Sequence, residues 1–403
     1  MKCRFSAKEI PTILDFGKMP LGNGFLDSQV DDEYFFNMSV AVNHDIGLIQ
    51  LEEQPDPSKM FHQEYAFFTR TSNFMVEHFK NVSDEIFSLL NESYSSDNSK
   101  YVVEIGSNDG VMLESLVKKN IKCLGVEPSK NVSAVSKKYG VETYEKFFSY
   151  DVSKEIISKH QQANIIYAAN VFCHIPDIND LAKACANLLK DKGMLIFEDP
   201  YLGDVLNKIS YDQIYDEHVY LFSCHSIKNI FAKYGLNLID CKNLTTHGGS
   251  MRYYLVKDSQ FTESNHLINT FKNEISNGLL DLNSYKEFAR KCDFARKKFK
   301  ERLELYKSNK LKIVGYGATS KSTTILNYCD VGCELIDFIV DTTPIKQGKL
   351  TPGKHIPVKD YANFIPHPDV SALFAWNHKK EILQKENNFK GKWITHLYND
   401  LLD

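Results

Sequence analysis

The feature that most limits what this chain can fold into lies between residues 101 and 200. Four short apolar runs, "YVVEIG", "KCLGVE", "NIIYAAN" and "GMLIFED", alternate there with the helix-like segments "DGVMLESLVKKN", "SKNVSAVSKKYG" and "INDLAKACANLLKDKG". Strands that are apolar throughout are buried on both faces, and strands separated by helices run parallel. The spacing therefore predicts an α/β fold with a parallel sheet covered on both sides. In such sheets ligands bind beyond the carboxyl ends of the strands. Two later runs, "LNLIDCKNL" and "SMRYYLVKD", are expected to add antiparallel strands at the far edge.

A chain of 403 residues exceeds what one core usually covers, so several domains are expected. Residues 1–73 are rich in Gly, Pro, Asp and aromatics, with short alternating runs such as "FFNMSVAV", and read as a small β-rich or irregular N-terminal domain. Residues 74–260 hold the Rossmann-like domain. It opens on a helix whose apolar face is read as Phe74, Met75, Phe79, Val82, Ile86, Leu89 and Leu90. Residues 261–309 form a helical connector with mixed charge, and residues 310–403 a second, smaller Rossmann-like unit opening at "LKIVGYGATSKSTTILNYC".

The formal net charge of −4 argues against nucleic acid as a main ligand. No apolar run approaches a membrane span, and the start "MKCRFSAKEIPTILDF" lacks a long apolar segment, so a soluble, unexported, cytoplasmic protein is expected. Nine scattered cysteines without a CxxC pair fit a reducing compartment. Cys329 and Cys333 are spaced for a metal, yet no second pair completes a ligand set.

Two glycine turns attract ligands of opposite charge. In "EIGSNDG", Gly106 and Gly110 let the backbone pass close to a ligand, Ser107 and Asp109 offer polar groups at a helix N-terminus, and Glu104 ends the strand. Glu127, ending the next strand, is where a ribose diol would be gripped. An acid within the turn repels pyrophosphate and suits a cationic amine and sulfonium, which favours S-adenosylmethionine over NAD. In "VGYGATSKS", Gly315, Tyr316, Gly317, Lys321 and Ser322 stand without an acid and welcome the phosphates of a diphosphate-linked substrate. Asp341, ending the following strand, serves a ribose or caps the turn.

The stretch "YDQIYDEHVYLFS" sets Tyr215, Glu217 and His218 in apolar surroundings, the composition that general acid/base chemistry needs. His174, Asn170, Glu198 and Asp199 belong to the strand rim, and "THGGSMR" adds His247 and Arg252. A methyl donor beside histidines and tyrosines implies that a proton leaves as the methyl arrives, the acceptor being a hydroxyl, an amine or an activated carbon.

Taken together, "PLGNGF", "GLIQL", "EIGSNDG", "AANVFCHIPDINDL", "IYDEHVYLFS", "HGGSMR", "GYGATSKS", "VDTTPIKQGKLTPGKHIPV" and "AWN" resemble, nearly end to end, the three-domain S-adenosylmethionine-dependent sugar C-methyltransferases. These act on nucleotide-linked 4-keto deoxysugars, typically at C3. The resemblance implies a central class I methyltransferase domain between the two smaller ones. It also implies His218 as the base that removes the proton alpha to the ketone. Tyr215 and His174 would bind or polarise sugar oxygens, and Glu217 would orient the base or hold a hydroxyl. Tyr65 would close the pocket from the N-terminal domain, although the second tyrosine of that pattern is Phe67 here. The enolate would attack the methyl with inversion at the sugar carbon. Asn170 joins Glu104, Gly106, Ser107, Asp109, Gly110 and Glu127 in the expected cofactor set. His247, Arg252, Gly315, Tyr316, Gly317, Lys321 and Ser322 form the expected substrate set.

The departures from the family pattern are specific. Its two zinc-binding CxxC pairs become "CRFS" and "NHDI", leaving Cys3 with Ser6, Asn43 and Ile46, so no zinc is expected. Asp216 stands where the family commonly has His, and Ser322-Thr323 where it has Gly-Asn. A nucleotide sugar is the expected partner of a monomer or weak homodimer. Three alternatives stay open: an O- or N-methyltransferase of the same build, an NAD(P)-dependent oxidoreductase, and an inactive sugar-nucleotide binding protein.

Overall fold

Three sheets carry the chain, and the computed structural model describes them across residues 1–30, 32–56, 60 and 68–402. The first is antiparallel: β1 (Thr12–Pro20), β2 (Phe35–Asn43) and β3 (Leu48–Leu51) follow one another as a meander. Its fourth strand comes from far along the chain and is described below.

The central sheet begins with β4 (Tyr101–Ile105), β5 (Lys122–Val126), β6 (Thr143–Tyr144), β7 (Ala163–Ala169) and β8 (Leu189–Pro200), paired in parallel. Alternation along β4 explains its double cover. Val102 packs with Met75, Phe79, Val82, Ile86 and Leu90 of the helix Asn73–Ser93. Tyr101, Val103 and Ile105 point the other way, into a cluster with Ile156, Leu181, Leu188 and Ile227. Each such buried aliphatic side chain contributes about 1.5–3 kcal/mol relative to exposure. Phe74, expected on the buried face, is 46% exposed. It is the second residue of the helix, and the buried stripe begins one position later at Met75.

The next strand, β9 (Tyr220–Leu221), leaves the central sheet's chain order to pair with β3, Ile49 facing Leu221 and Gln50 facing Tyr220. The N-terminal sheet is therefore completed by residues that directly follow His218. Two further strands close the far edge, β11 (Ser250–Val256) antiparallel to β8 and β10 (Asn237–Leu244) antiparallel to β11. The sheet order is β10-β11-β8-β7-β4-β5-β6, the edge pattern read from the sequence.

Residues 265–308 form two helices, Asn265–Ser276 and Leu282–Ser308, separated around Gly278 with φ +75°. The second buries Tyr285, Phe288, Cys292, Ala295, Phe299 and Leu303, a stripe spaced three and four apart. That stripe shares one core with Leu14 and Phe16 of β1 and with Ile313, Ile339 and Val370 of the last sheet. The segment is thus a structural spine rather than a solvated link. The last sheet is parallel: β12 (Ile313–Tyr316), β13 (Ile339–Asp341), β14 (Val358–Asp360), β15 (Val370–Leu373) and β16 (Lys392–Ile394), in the order β14-β13-β12-β15-β16. Among the described residues no helix is long and apolar enough to cross a membrane.

Candidate functional site

The carboxyl ends of β4, β5, β7 and β8 form an acidic rim. After β4 the chain turns through Gly106 (φ +69°) and Gly110 (φ +76°) into the helix Val111–Val117. A Cβ on Gly106 would stand 2.3 Å from Val171 Cγ2, so only glycine permits this approach between the loops after β4 and β7. Ser107 turns inward onto Gly125 of β5, where an added Cβ would meet its Oγ at 2.3 Å, so its side chain anchors the turn. Glu127 accepts from the backbone N–H of Asn108 (3.1 Å) and of Ser129 (2.8 Å), which fixes its carboxylate at the rim. Asp109 accepts from Arg70 N with one oxygen, while its Oδ1 and Glu104 Oε2 are buried without a hydrogen-bond partner among the described residues.

Burial raises Glu104 well above the carboxylate range, and the charges of Asp109, Glu127 and Glu198 push it further. Burial likewise raises Asp109 and Glu127. Converging carboxyls with unused acceptor atoms suit a ligand that brings positive charge and hydroxyl donors. The fit to S-adenosylmethionine is good, with Glu127 and the Gly106–Gly110 turn as the holding residues. Asn170, at φ +52° after β7, donates to His247 Nε2 at 2.7 Å and forms the side of this rim.

Beside the rim, residues 211–221 are clamped from three directions. Asp212 accepts from Trp376 Nε1 (2.7 Å) and from His396 Nε2 (2.9 Å), both in the C-terminal unit. Burial works against its charge, but His396, Trp376 and Lys321 hold the carboxyl below its usual range. From the N-terminal segment, Gly22 N donates to Asp216 (3.0 Å) and Asn23 Nδ2 to Glu217 (2.7 Å). Leu51 N donates to Val219 O at 2.8 Å, at the junction with β3.

The clamp fixes the protonation of His218. Its Nδ1 faces the carbonyl oxygen of Gln213 at 2.7 Å, and a carbonyl only accepts, so Nδ1 carries the hydrogen. Nε2 is left with its lone pair, 3.0 Å from the Tyr215 hydroxyl. Burial lowers the His218 pKa well below the ordinary imidazole value, aided by His174 and Lys321, which keeps the ring neutral. His174 lies edge-on to it, ring centroids 5.2 Å apart, with Nδ1 3.9 Å from Glu217 Oε2. Burial and then Lys321 lower His174 to about 3. Burial raises both Asp216 and Glu217, and the charge of Glu217 pushes Asp216 further. At Glu217 the Asn23 hydrogen bond and the charges of Lys321 and Lys346 work against that rise.

The expected substrate residues divide. Lys321 reaches the chamber, its Nζ 5.4 Å above the Tyr215 ring centroid. His247, held by Asn170, borders the cofactor side, and its carbonyl oxygen accepts from Gln213 Nε2 at 2.5 Å. Arg252 does not reach a substrate: its guanidinium is buried and committed to Glu198 (2.9 Å) and Glu85 (2.8 Å). Tyr316 is likewise turned away, packed against Phe364 and Trp393 with its hydroxyl on Glu386. Ser322 Oγ is spent on Thr319 O, and Asp341 caps the Gly315–Gly317 turn by accepting from Ala318 N. A phosphate cradle at that turn is therefore already filled by the protein itself. Tyr65 and Phe67 lie outside the described residues.

The four positions of the family's zinc set also meet. Asn43 Nδ2 donates to Cys3 Sγ and to Ser6 Oγ, both at 3.5 Å, and Ile46 packs in the same cluster as Cys3. An amide nitrogen, a hydroxyl and a sec-butyl group beside one thiol do not fit zinc. Cys329 and Cys333 do not pair either: the first meets the Tyr211 hydroxyl at 3.2 Å and the second is exposed. Among the described residues Cys173, His174 and His218 bring potential ligand atoms within 4.8 Å of one another. Burial holds the Cys173 thiol protonated, however, and both nitrogens of His218 are engaged.

Asn23, Gln213, Asp212, Trp376 and His396 were not singled out by sequence reasoning. "PLGNGF", "YDQIYDEHVYLFS" and "AWN" contain four of them, and in the fold a Cβ on Gly22 would meet Asp216 Oδ1 at 2.7 Å.

Comparison with known proteins matches the sequence to described families. Residues 78–240 match a family described as Methyltransferase domain, and residues 245–397 one described as C-methyltransferase C-terminal domain. Residues 3–61 match one described as "Putative zinc binding domain". C-methyltransferase NovU of Streptomyces niveus is 30% identical over 381 residues, covering 94% of this chain and 90% of that protein. A ubiquinone biosynthesis O-methyltransferase of Yersinia enterocolitica is 27% identical over 103 residues, 24% of this chain and 41% of that enzyme. Magnesium protoporphyrin IX methyltransferase of Synechocystis PCC 6803, solved with bound S-adenosylmethionine, overlays with a TM-score of 0.34 at 12% identity, covering 50% of this chain and 89% of that one.

Proposed function

The chain belongs to the S-adenosylmethionine-dependent C-methyltransferase family, and from that membership we propose that it methylates C3 of a nucleotide-linked 4-keto deoxysugar. One observation carries the reading. A neutral imidazole, His218, presents a lone pair at Nε2 beside a phenol, next to the acidic rim that suits the cofactor. A hydrogen on a carbon alpha to a ketone is acidic enough for such a base once the carbonyl oxygen is held by donors.

When bound, the cofactor supplies an electrophilic methyl on a sulfonium. His218 Nε2 takes the substrate proton as Tyr215 moves its hydroxyl to a sugar oxygen. Nδ1 stays on Gln213 O, so the imidazolium formed keeps a partner. His174, neutral at physiological pH, binds a second sugar oxygen, and Glu217, held by Asn23, orients a hydroxyl. The N-terminal segment does this without zinc, Asn43 bridging Cys3 and Ser6 in the metal's place. We place the protein in the cytoplasm, working as a monomer or weak homodimer on a nucleotide sugar.

A panel of nucleotide sugars with and without a 4-keto group tests the reading. Methyl transfer confined to the keto compounds supports it. Equal transfer to sugars lacking the ketone would replace it with an O- or N-methyltransferase, for which no activated carbon is needed.

A further inference from the structure

The chamber holds a cation that the chemistry above does not use. Lys321 is the second residue of the helix Ser320–Tyr328 in the C-terminal unit. Two bonds dock that helix on the reactive segment: Thr323 Oγ1 to Gly22 O (2.8 Å) and Thr324 Oγ1 to Ile214 O (3.2 Å). The docking delivers the Lys321 ammonium over the ring of Tyr215, whose hydroxyl touches the base.

Among the described residues Lys321 Nζ makes no hydrogen bond and no ion pair. The neighbouring Lys346 differs, since it donates to Ala318 O at 2.7 Å. The reach of the Lys321 charge marks its position. It disfavours protonation of His174, His218, His247, His378 and Lys346 and favours ionised Asp212 and Glu217. His174, His218 and Glu217 among them border the reaction chamber, where Lys321 also lies over Tyr215. Burial lowers the Lys321 pKa, so a negative charge that develops beside it stabilises its ammonium form.

We propose that Lys321 is a catalytic residue that holds the enolate oxygen, rather than an anchor for the diphosphate. This rests on the proposed reaction at carbon. As the C3–H bond breaks, its proton passes to His218 Nε2 and its electron pair forms the C3–C4 double bond. The carbonyl π pair moves onto O4, and the Lys321 ammonium faces that oxygen without giving up its proton. When C3 takes the methyl, the C3–C4 pair forms the new C–C bond, the C–S pair returns to sulfur, and O4 recovers its double bond. No further oxidant or reductant is needed. A diphosphate anchor would act equally on ground state and transition state, whereas an oxyanion partner acts on the second alone.

The test is hydrogen–deuterium exchange at C3 of a 4-keto nucleotide sugar in D2O, with the methyl donor omitted, comparing wild type with Lys321→Met and Lys321→Arg. Nucleoside diphosphate binding and thermal melting are measured on each protein. Lys321→Met should slow exchange and methyl transfer by on the order of 10²–10³-fold, as loss of one oxyanion donor does, with nucleoside diphosphate affinity and melting unchanged. Lys321→Arg, which keeps the charge, should recover part of the rate. Exchange that persists in Lys321→Met overturns the assignment. So does a weaker diphosphate affinity with exchange unchanged at saturation. No exchange in the wild type would instead remove the carbon-methylation reading itself, and this role with it. If Lys321→Met melts lower, the rate of Lys321→Arg decides, and an arginine variant as slow as methionine contradicts a charge-based role.

Discussion

His218 Nδ1 donates to the carbonyl oxygen of Gln213 at 2.7 Å, five residues earlier in the chain. Because that acceptor is backbone, the tautomer survives any side-chain rearrangement around it, and the proton-accepting nitrogen always faces Tyr215. Replacing His218 with Ala removes the base without touching the acidic rim. Methyl transfer should fall by about 10²–10⁴-fold, while calorimetry finds S-adenosylmethionine affinity near wild type. Full activity in this variant contradicts the assigned role.

Glu127 is expected to behave in the opposite way. Its oxygens already hold Asn108 N and Ser129 N, so Glu127→Ala loses a ribose acceptor and loosens the turn together. A charged hydrogen-bonding group contributes about 1.5–3 kcal/mol, so the dissociation constant should rise on the order of ten- to a hundredfold. The kcat at saturating cofactor should change much less.

Buried ionisable groups set signs for pH dependence. His218 must be uncharged to act, and burial holds its pKa low. The kcat/KM should therefore stay level as pH falls through about 6.5, the ordinary imidazole value, and decline only at more acid pH. Stability follows the same logic. His247, lowered to about 3 mainly by burial, contributes stability that is complete above about 6.5 and lost as pH falls towards 3. Asp199, raised to about 8 by burial, has the reverse sign: its contribution is complete below 3.8 and lost as pH rises towards 8. Melting curves of His247→Gln should show a flatter acid slope than wild type, and those of Asp199→Asn a flatter alkaline one.

The Asp212 clamp joins the reactive segment to the C-terminal unit through two bonds that span 164 and 184 residues of sequence. Asp212 and His396 are both fully buried, so breaking the pair leaves a polar group stranded. Asp212→Ala should cost about 3–5 kcal/mol in denaturant unfolding. Trp376→Phe, which keeps the ring, should cost about 1–3 kcal/mol.

Zinc content offers an independent check of the N-terminal segment. Protein purified without chelator should hold no stoichiometric zinc, and chelator should leave its melting unchanged. Combining Ser6→Cys, Asn43→Cys and Ile46→Cys restores four thiol positions around Cys3 and should introduce one equivalent. One tightly held equivalent in the unmodified protein contradicts the donor-set argument.

What the sequence disclosed follows from the range of the interactions involved. The central sheet was legible because strands buried on both faces must be apolar, and Tyr101–Ile105 is buried at every position. His218, Glu217 and Tyr215 were legible because titratable groups in apolar surroundings are rare enough to notice. Asn23 and Asp212 lie in quoted stretches, but their roles were not legible, since their partners are nearly two hundred residues away. Arg252 misled for the same reason: its neighbours Glu85 and Glu198 meet it only through the folded sheet. Tyr316 was recoverable. Strand alternation puts it on the opposite face from Gly315 and Gly317, which is where its ring packs.

The central claim, that a carbon atom receives the methyl, is tested most directly by NMR of the product made with a ¹³C-methyl donor and a 4-keto nucleotide sugar. A methyl carbon coupled to C3 of the sugar is the expected result. A methyl resonance in the oxygen-bound or nitrogen-bound region, with C3 still carrying its hydrogen, contradicts it.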